Sequence, residues 1–492
     1  MAVAVDRSGK WTVTSSDDQT IRLFYVGDLN PNSSSIRKVL PALTIFPSKD
    51  GREWVAWTPE GYFTASSPSA FKLIGYHINR GFYKQAKWVS FSQLYDVYFR
   101  PDLVRLKLAR PTEDLSRYTN LAKINELLQD SPPPKVRIIS PAEGRILESK
   151  TVKVSLMIED QGGGVGNIMV YLNGSAVIMD NPQSTRREYT GKVLFKEYTL
   201  NLIKGKNTIT AVVFNKDNTV RSRTATVRVI ANFHKIKKPS LYAVVIGINE
   251  FKNPQLNLRY AVADARLFAN ALRKVARPLF KKVVIKKLIT RQKTTKTNIV
   301  KTLKALRRYI KANDVFVLYV ATHGYVEDGK YFMITSNVGS LWSEMLKKEA
   351  LSQDLLTELI ANIPSTKKLI VVDTCQAQAI GSAIQITLLN RGMSETTAIK
   401  ILSRSSGSTI LAASTSMQDA LEGYHGHGLF TYVLVQGLLG KADFAKTGVV
   451  ETIDLAKYVN MKVPEISEEV FYKRQYPTIE IHGQPFPIGK VR

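Results

Sequence analysis

Two short segments of the chain combine residue types that can do nucleophilic and acid–base chemistry. His323 lies in the segment 321–325, ATHGY, and Cys375 lies in the segment 373–377, DTCQA. Each segment ends an apolar run that is typical of a buried strand. A thiolate can attack a carbonyl carbon, an imidazole can accept and return the proton, and backbone N–H groups can stabilise the oxyanion. The pattern therefore predicts a nucleophile and a general base and acid at two strand ends.

The elements that must position these residues alternate between strand and helix from residue 241 onward. The predicted strands are 241–248, 282–288, 315–321, 369–373 and 408–414, and the predicted helices are 261–275, 295–311, 353–362 and 428–439. Near-continuous apolar strands separated by helices indicate a mainly parallel sheet with helices on both faces. Ligands of such sheets gather outside the carboxyl ends of the strands. His323 and Cys375 are both expected at that edge.

The order of the motifs in this α/β part resembles the caspase and metacaspase superfamily. The matching motifs are AVVIGIN at 243–249, ADA at 263–265, His-Gly at 323–324, Asp-x-Cys at 373–375, LAAST at 411–415, Glu422, GHGLFT at 426–431 and QYP at 475–477. The resemblance covers about residues 241–481 and implies a caspase-like fold. It also implies that His323 is the base and acid, that Cys375 is the nucleophile, and that the amides of Gly324 and Cys375 form the oxyanion hole.

The resemblance further implies the specificity of the site. In metacaspase-like members that cut after Arg or Lys, acidic residues line the primary pocket, and those positions match Asp264 and Asp373 here. Asp419 and Glu422 are additional candidates for the same pocket. A fixed pair of carboxylates suits a guanidinium or ammonium group. The expected substrates are proteins or peptides, no metal or other cofactor is expected, and activation by calcium is left open.

Simpler interpretations of the same residues remain open at this stage. A cysteine after a strand can be a small buried apolar residue, and His323 can be a core histidine. His425 and His427 are rival bases or a pair of metal ligands, although a zinc site is poorly supported. Asp264 could cap the helix that begins nearby.

The first half of the chain predicts three further segments. Residues 1–30 resemble a single blade of a WD-type propeller, which cannot bury its own faces without neighbours. Residues 31–130 form an aromatic-rich connector and a helical segment, which ends at a triple proline. Residues 135–232 alternate in a period of two between turn signals and resemble a bacterial Ig-like β-sandwich. The whole is a multidomain chain whose caspase-like domain spans 240–485.

The charge is strongly basic and unevenly distributed. The formal net charge is +28, and the segment 265–313 contains sixteen Lys or Arg residues and no Asp or Glu. Such a segment can attract an acidic partner or nucleic acid, or it can be the solvated face of two helices and an edge strand. No stacking aromatics are expected among these charges and no nucleic-acid-binding motif accompanies them, which favours the solvated face.

No apolar stretch reaches the length of a membrane span, and a single cysteine forbids an intrachain disulfide, so a cytoplasmic protein without membrane contact is expected. The oligomeric state is left open.

Three functions are compatible with these observations. The leading one is a cysteine endopeptidase that cleaves proteins after Arg or Lys with a Cys-His dyad. The alternatives are a catalytically silent caspase-like interaction scaffold and a nucleic-acid-responsive regulatory factor that uses the basic segment. Self-cleavage near Arg391, Lys400 or Arg404 is a further hypothesis, with an uncut pair of amphipathic helices as its alternative.

Overall fold

The structure is a computed structural model. It describes residues 2–29, 38–67, 69–79, 82–83, 85–118, 124–182, 192–234, 237–327, 330–376, 395–413 and 420–491. Within these ranges it contains no helix that is both long enough and apolar enough to cross a membrane.

The chain begins with an antiparallel meander in which each strand pairs with the next. Its strands are β1 Ala2–Val5, β2 Trp11–Ser15, β3 Ile21–Tyr25, β4 Leu43–Pro47, β5 Trp54–Trp57 and β6 Phe63–Ala65. β3 pairs with β4 through Ile21–Ile45 and Leu23–Leu43. The sheet therefore runs past residue 30, where the sequence analysis ends its first segment. The likeness of that segment to a propeller blade stays a prediction.

An aromatic core joins this sheet to the connector. The connector contains β7 Gly75–Ile78, β8 Lys87–Ser90, α1 Tyr95–Tyr98, α2 Pro101–Ala109 and α3 Ile124–Asp130. Phe63 of β6 lies against Phe91 with ring centroids 4.6 Å apart, and Tyr95 stacks on Phe99 at 4.4 Å. These rings are buried, so they stabilise the connector by packing.

The next domain is a β-sandwich, as the period-two alternation predicted. Its strands are β9 Lys135–Ser140, β10 Ile146–Leu147, β11 Thr151–Glu159, β12 Ile168–Leu172, β13 Ser175–Asp180, β14 Val193–Asn201, β15 Gly205–Val213 and β16 Ala225–Ala231. One sheet has the order β10-β16-β15-β12-β13 and the other the order β14-β11-β9. Val152, Val154 and Leu156 of β11 are buried between the sheets, because alternate residues of a strand face the core.

The remainder of the chain is the predicted α/β domain. Its strands are β17 Leu241–Gly247, β18 Val283–Leu288, β19 Val315–Glu327, β20 Lys330–Met333, β21 Leu351–Ser352, β22 Lys367–Gln376, β23 Thr409–Ala412, β24 Glu422–Tyr424, β25 His427–Gly428, β26 Val449–Glu451, β27 Thr478–Glu480 and β28 Pro487–Lys490. Its helices are α4 Ala261–Ala276, α5 Lys296–Arg307, α6 Ser343–Glu349, α7 Gln353–Ala361, α8 Glu395–Ser406, α9 Leu429–Gln436 and α10 Thr452–Phe471.

The main sheet of this domain has the order β18-β17-β19-β22-β23-β27. The pairs from β18 to β23 are parallel, and β27 joins β23 in the antiparallel direction. Val317 and Tyr319 of β19 pack with residues of α4, α9 and α10, whereas Phe316 and Leu318 pack with α5, α7 and α8. Both faces of the sheet are therefore covered, which explains the near-continuous apolar strands.

The sandwich packs directly on the α/β domain through β13. Ser175 Oγ lies 2.9 Å from the carbonyl oxygens of both Thr366 and Gly407. The buried Lys368 Nζ donates to the carbonyl oxygens of Ala176 and Ile360, and burial holds the pKa of this amine well below its usual range. Lys368 lies on β22, so the sandwich contacts the strand that carries Cys375.

The connector holds the helix that follows the segment after Cys375. In α8, the Arg404 guanidinium lies 4.0 Å from the centre of the Tyr95 ring, and Lys400 Nζ lies 3.7 Å from Glu480 Oε1. Ser405 Oγ donates to Asp96 Oδ1 at 3.1 Å. Two of the three candidate self-cleavage residues are thus part of a packed helix, which favours the uncut alternative for them. The third, Arg391, lies outside the described residues.

At the contact between the sandwich and the α/β domain, we expect one added methyl group to lower the stability of the protein strongly. Gly407 has φ +59°, and an added Cβ would lie 2.0 Å from the carbonyl oxygen of Gly174. We expect Gly407→Ala to lower stability by about 3 kcal/mol or more, since a clash with backbone adds to the cost of left-handed alanine. Gly144→Ala is the control, because Gly144 has φ +75° with nothing within 4 Å of its added Cβ. Equal unfolding midpoints of the two variants in urea would contradict the packed interface.

Candidate active site

The backbone register brings His323 and Cys375 to the same level of the sheet. β19 and β22 are parallel, and their paired positions include Ala321 with Asp373, His323 with Cys375, and Gly324 with Gln376. Adjacent strands of a sheet lie about 4.8 Å apart. The proposed base and nucleophile are therefore neighbours at the carboxyl edge of the sheet, as the sequence predicted.

A loop from the adjacent strand end orients the His323 ring. His323 is 4% exposed, its Nε2 lies 2.8 Å from the carbonyl oxygen of Leu256, and its ring centre lies 5.5 Å from that of Phe251. A carbonyl oxygen only accepts, so Nε2 carries the hydrogen, and the lone pair of the neutral imidazole is on Nδ1. Asn257 Oδ1 accepts from the Phe251 N–H at 2.9 Å and holds this loop in shape.

Gly324 continues the strand immediately after the histidine. Its backbone pairs with Gln376 of β22 on one side and with Met333 of β20 on the other. The carbonyl oxygen of His323 accepts from the Ile334 N–H at 3.0 Å, which fixes the direction of this backbone. The backbone of Gly324 and that of Cys375 thus lie on adjacent strands at one edge. That the N–H groups of Gly324 and Cys375 form an oxyanion hole stays a prediction.

Asp264 is oriented toward the sheet edge and away from its own helix end. It is 3% exposed, and its Oδ1 lies 2.8 Å from His427 Nδ1 and accepts from the Gly428 N–H at 3.2 Å. The N-cap of α4 is Tyr260, which makes no side-chain capping bond. The interpretation of Asp264 as a helix cap is therefore wrong, because its carboxylate bonds to the β25 hairpin instead of the first turn.

Asp373, on β22, lies close to Asp264 and contacts the first turn of α9. Its Oδ2 accepts from the Thr431 hydroxyl at 2.5 Å, and the Tyr319 hydroxyl lies 2.6 Å from Thr431 Oγ1. A Cβ on Gly428 would lie 3.1 Å from Asp264 Oδ2 and 3.5 Å from Asp373 Oδ2. Both carboxylates therefore converge on one glycine, and any side chain there would press on them.

The two carboxylates perturb each other electrostatically. Desolvation raises the pKa of Asp264 to about 7, with a further contribution from the charge of Glu422. Desolvation also raises the pKa of Asp373 to about 7, and the charges of Asp264 and Glu422 add to it. Near neutral pH the pair therefore tends to hold a proton between its members. A cation bound here would relieve the repulsion and displace that proton.

The other predicted site residues have different positions. Glu422 lies on β24, opposite Gly428 of β25, and so belongs to the wall of the acidic site. Asp419 lies outside the described residues. His425 is exposed and stacks on Tyr432 at 5.0 Å, and His427 contacts Asp264, so neither occupies the position of a base beside Cys375. In the part of the chain that the structure describes, no cluster of three or more His, Cys, Asp or Glu residues could hold a metal.

Sequence reasoning missed the groups that orient the site. Leu256, Tyr319, Gly428 and Thr431 contact the site residues, yet none was a candidate. Gly428 and Thr431 do fall within the GHGLFT motif, which was a usable signal. Nothing in the local sequence distinguishes Leu256 or Tyr319 from core residues.

Comparison with known proteins identifies the family. A family model of the caspase domain, peptidase family C14, matches residues 240–486, which is half of the chain. The chain belongs to the caspase family. A model of the bacterial Ig domain matches residues 134–229. The caspase domain and the Ig-like domain that the sequence predicted are thereby confirmed, and the caspase domain indicates a peptidase type of function.

Comparison with individual proteins adds little. No curated protein matches the chain. The CARDB domain of a Pyrococcus furiosus protein, solved with two metal ions, shows 17% identity and a TM-score of 0.16 over 21% of this chain and 97% of that one. The SrpA adhesin of Streptococcus sanguinis shows 12% identity and a TM-score of 0.16 over 42% of this chain and 87% of that one. Likenesses this weak say nothing about function.

The raised pKa values of the caspase-domain carboxylates predict a pH-dependent stability. An unfolded Asp has its pKa near 4. Between about pH 4 and 7 the folded state therefore binds more protons than the unfolded state, and stability falls as pH rises. We expect Asp373→Asn to stabilise the protein relative to wild type clearly at pH 8 and much less at pH 5. The measurement is the thermal unfolding midpoint at both pH values.

Asp217→Asn serves as the control, because Asp217 is exposed and far from the pair in the sandwich. We expect Asp217→Asn to change the unfolding midpoint by the same amount at pH 5 and pH 8. If Asp373→Asn also raised the midpoint equally at both pH values, burial would not raise the pKa values of the two carboxylates.

Proposed function

We propose that the caspase domain hydrolyses peptide bonds of proteins after Arg or Lys, with Cys375 as the nucleophile and His323 as the general base and acid. The observation that carries the proposal is the pairing of His323 with Cys375 in the β19–β22 register, next to the buried carboxylates Asp264 and Asp373. The proposed arrangement combines a base, a thiol and the acidic site at the carboxyl edge of the sheet. A non-catalytic scaffold has no need for that combination.

The chemical steps follow from the proposed roles. His323 Nδ1 accepts the thiol proton of Cys375, and the thiolate forms a bond to the carbonyl carbon of the substrate. The carbonyl oxygen becomes an oxyanion, which the N–H groups of Gly324 and Cys375 stabilise. When the carbon–nitrogen bond breaks, the imidazolium gives its proton to the leaving amine. Water then attacks the thioester with His323 as base, which releases the acid and restores the thiol.

Leu256 supports the tautomer that this mechanism needs. Its carbonyl oxygen accepts from His323 Nε2–H, so that Nδ1 is the nitrogen able to take a proton. The same carbonyl stabilises the positive charge on the ring after the proton has moved. This second role resembles that of a carboxylate in a catalytic triad, but it uses a neutral dipole and is weaker.

The carboxylate pair supports the choice of a basic residue. Burial makes the paired charges costly, and a guanidinium or ammonium group between them would compensate both. Glu422 lies within electrostatic range of both carboxylates and adds to the negative potential. An acidic or apolar side chain would leave the pair uncompensated. The pocket is therefore selective through charge.

The decisive test compares peptides that differ only in the charge of the residue before the cut. Fluorogenic peptides ending in Arg, in its neutral analogue citrulline, and in Asp are assayed with and without calcium. We expect kcat/KM for Arg to exceed that for citrulline at least about 100-fold, since a site built for a charged group rejects the uncharged analogue. Asp264→Asn should remove most of this ratio, whereas Asp217→Asn should keep it.

The catalytic roles have their own expected outcomes. Cys375→Ala and His323→Ala should each lower kcat by at least about 1,000-fold, while His425→Ala should stay near wild type. No hydrolysis of any peptide by folded wild-type protein, with or without calcium, would favour the silent scaffold. Equal kcat/KM for Arg and citrulline would be consistent with peptidase activity but would contradict the proposed specificity for a basic residue.

A further inference from the structure

The topology of the caspase domain gathers basic residues at one corner of the sheet. Both α4 and α5 connect parallel strands, so each begins at the carboxyl edge and ends at the amino edge. The end of α4, the start of β18 and the end of α5 therefore all lie at the amino edge near the first strands of the sheet, with the two helices on opposite faces. We call the cations at these three places the basic corner: Arg273, Lys274, Arg277, Lys281, Lys282, Arg307, Arg308 and Lys311.

These cations are accessible and form no ion pairs with the residues that the structure describes. All are exposed except Arg273, which is half-buried. Among the residues that the structure describes, none of the eight takes part in an ion pair. The nearby Asp314 is buried and accepts from the backbone N–H groups of Ser240 and Lys311, and it forms no ion pair with these cations. Lys490 of β28, which packs against α4, is exposed and adds another positive charge.

The composition of the corner favours phosphate over an acidic protein surface. Protein interfaces usually combine a rim of charge with an apolar centre. In the segment 265–313, the one large hydrophobic side chain that is strongly exposed among the described residues is Tyr309, at 68%. An exposed aromatic ring between Arg308 and Lys311 offers a face on which a base can stack. The expectation that no stacking aromatic is interleaved with the basic residues is therefore wrong, because the Tyr309 ring is exposed among them.

We propose that the basic corner binds the phosphodiester backbone of a nucleic acid without reading its sequence. The binding is electrostatic and depends steeply on salt, because each neutralised phosphate releases condensed counterions. The corner and the proposed active site lie at opposite edges of the sheet. From Asp264 to Arg277 the helix rises by about 20 Å, so a bound nucleic acid leaves the acidic pocket open. The inference does not depend on the proposed peptidase activity.

The test measures binding of the full chain to two labelled probes of equal length. One is a 20-base-pair DNA duplex and the other a 20-nucleotide single-stranded RNA, followed by fluorescence anisotropy from 50 to 300 mM KCl. The test variant carries Lys281→Gln, Lys282→Gln, Arg307→Gln and Arg308→Gln. The control variant carries Lys135→Gln, Arg137→Gln, Lys204→Gln and Lys206→Gln, which removes the same charge from exposed positions of the sandwich.

We expect the test variant to bind at least one probe at least about tenfold more weakly at 100 mM KCl, with a salt slope reduced by two or more. The control variant should stay within about twofold of wild type. Binding of both probes with equal strength indicates recognition of the backbone alone, and preference for the single strand indicates stacking on Tyr309. Either result supports the proposal.

Three outcomes would overturn it. Equal weakening of the test and control variants would mean that net charge alone attracts the probes. Absence of binding to both probes at 50 mM KCl would remove the site altogether. Binding of labelled polyglutamate but of neither nucleic acid would assign the corner to an acidic protein. Unfolding midpoints of both variants establish that they are folded before binding is compared.

Discussion

The hydrogen-bonded ladder between β19 and β22 is the constraint on which the rest of the site depends. It pairs ten consecutive positions, from Val315–Lys367 to Gly324–Gln376, and so fixes His323 opposite Cys375. A slip by one residue would move every paired side chain to the other face of the sheet. The buried apolar faces on both sides of these strands, and the contact of Lys368 with the sandwich, prevent that slip.

The acidic site depends on the same ladder and on a second long-range contact. Asp373 lies two residues before Cys375 on β22, and the β25 hairpin brings Gly428 to Asp264. The Thr431 hydroxyl and the Gly428 N–H donate hydrogen bonds to the two carboxylates and lower the cost of burying them. The remaining cost of burying the two charges raises the pKa values of both carboxylates, and shifts of this kind are typical of functional sites. The family match and the geometry are thus consistent with each other.

Sequence alone predicted the elements that local patterns of apolar and polar residues determine. The apolar runs that end at His323 and Cys375 identify two strands of a parallel sheet, and the alternation in β11 identifies the sandwich. The resemblance to caspases supplied Asp264 and Asp373. The groups that orient these residues could not be predicted, because they come from distant parts of the chain. Thr431 is 58 residues from Asp373, and Leu256 is 67 residues from His323. The pairing of β3 with β4 across residue 30 was missed for the same reason, because register between strands is a tertiary property.

We propose that His323 takes the proton of Cys375, and the single cysteine of the chain allows a direct test of that transfer. Intact mass spectrometry follows alkylation of the protein by iodoacetamide at pH 6, where an ordinary thiol is almost entirely protonated and slow to react. We expect wild-type protein and His425→Ala to react at least about ten times faster than His323→Ala. Equal rates for wild type and His323→Ala, both folded, would contradict it.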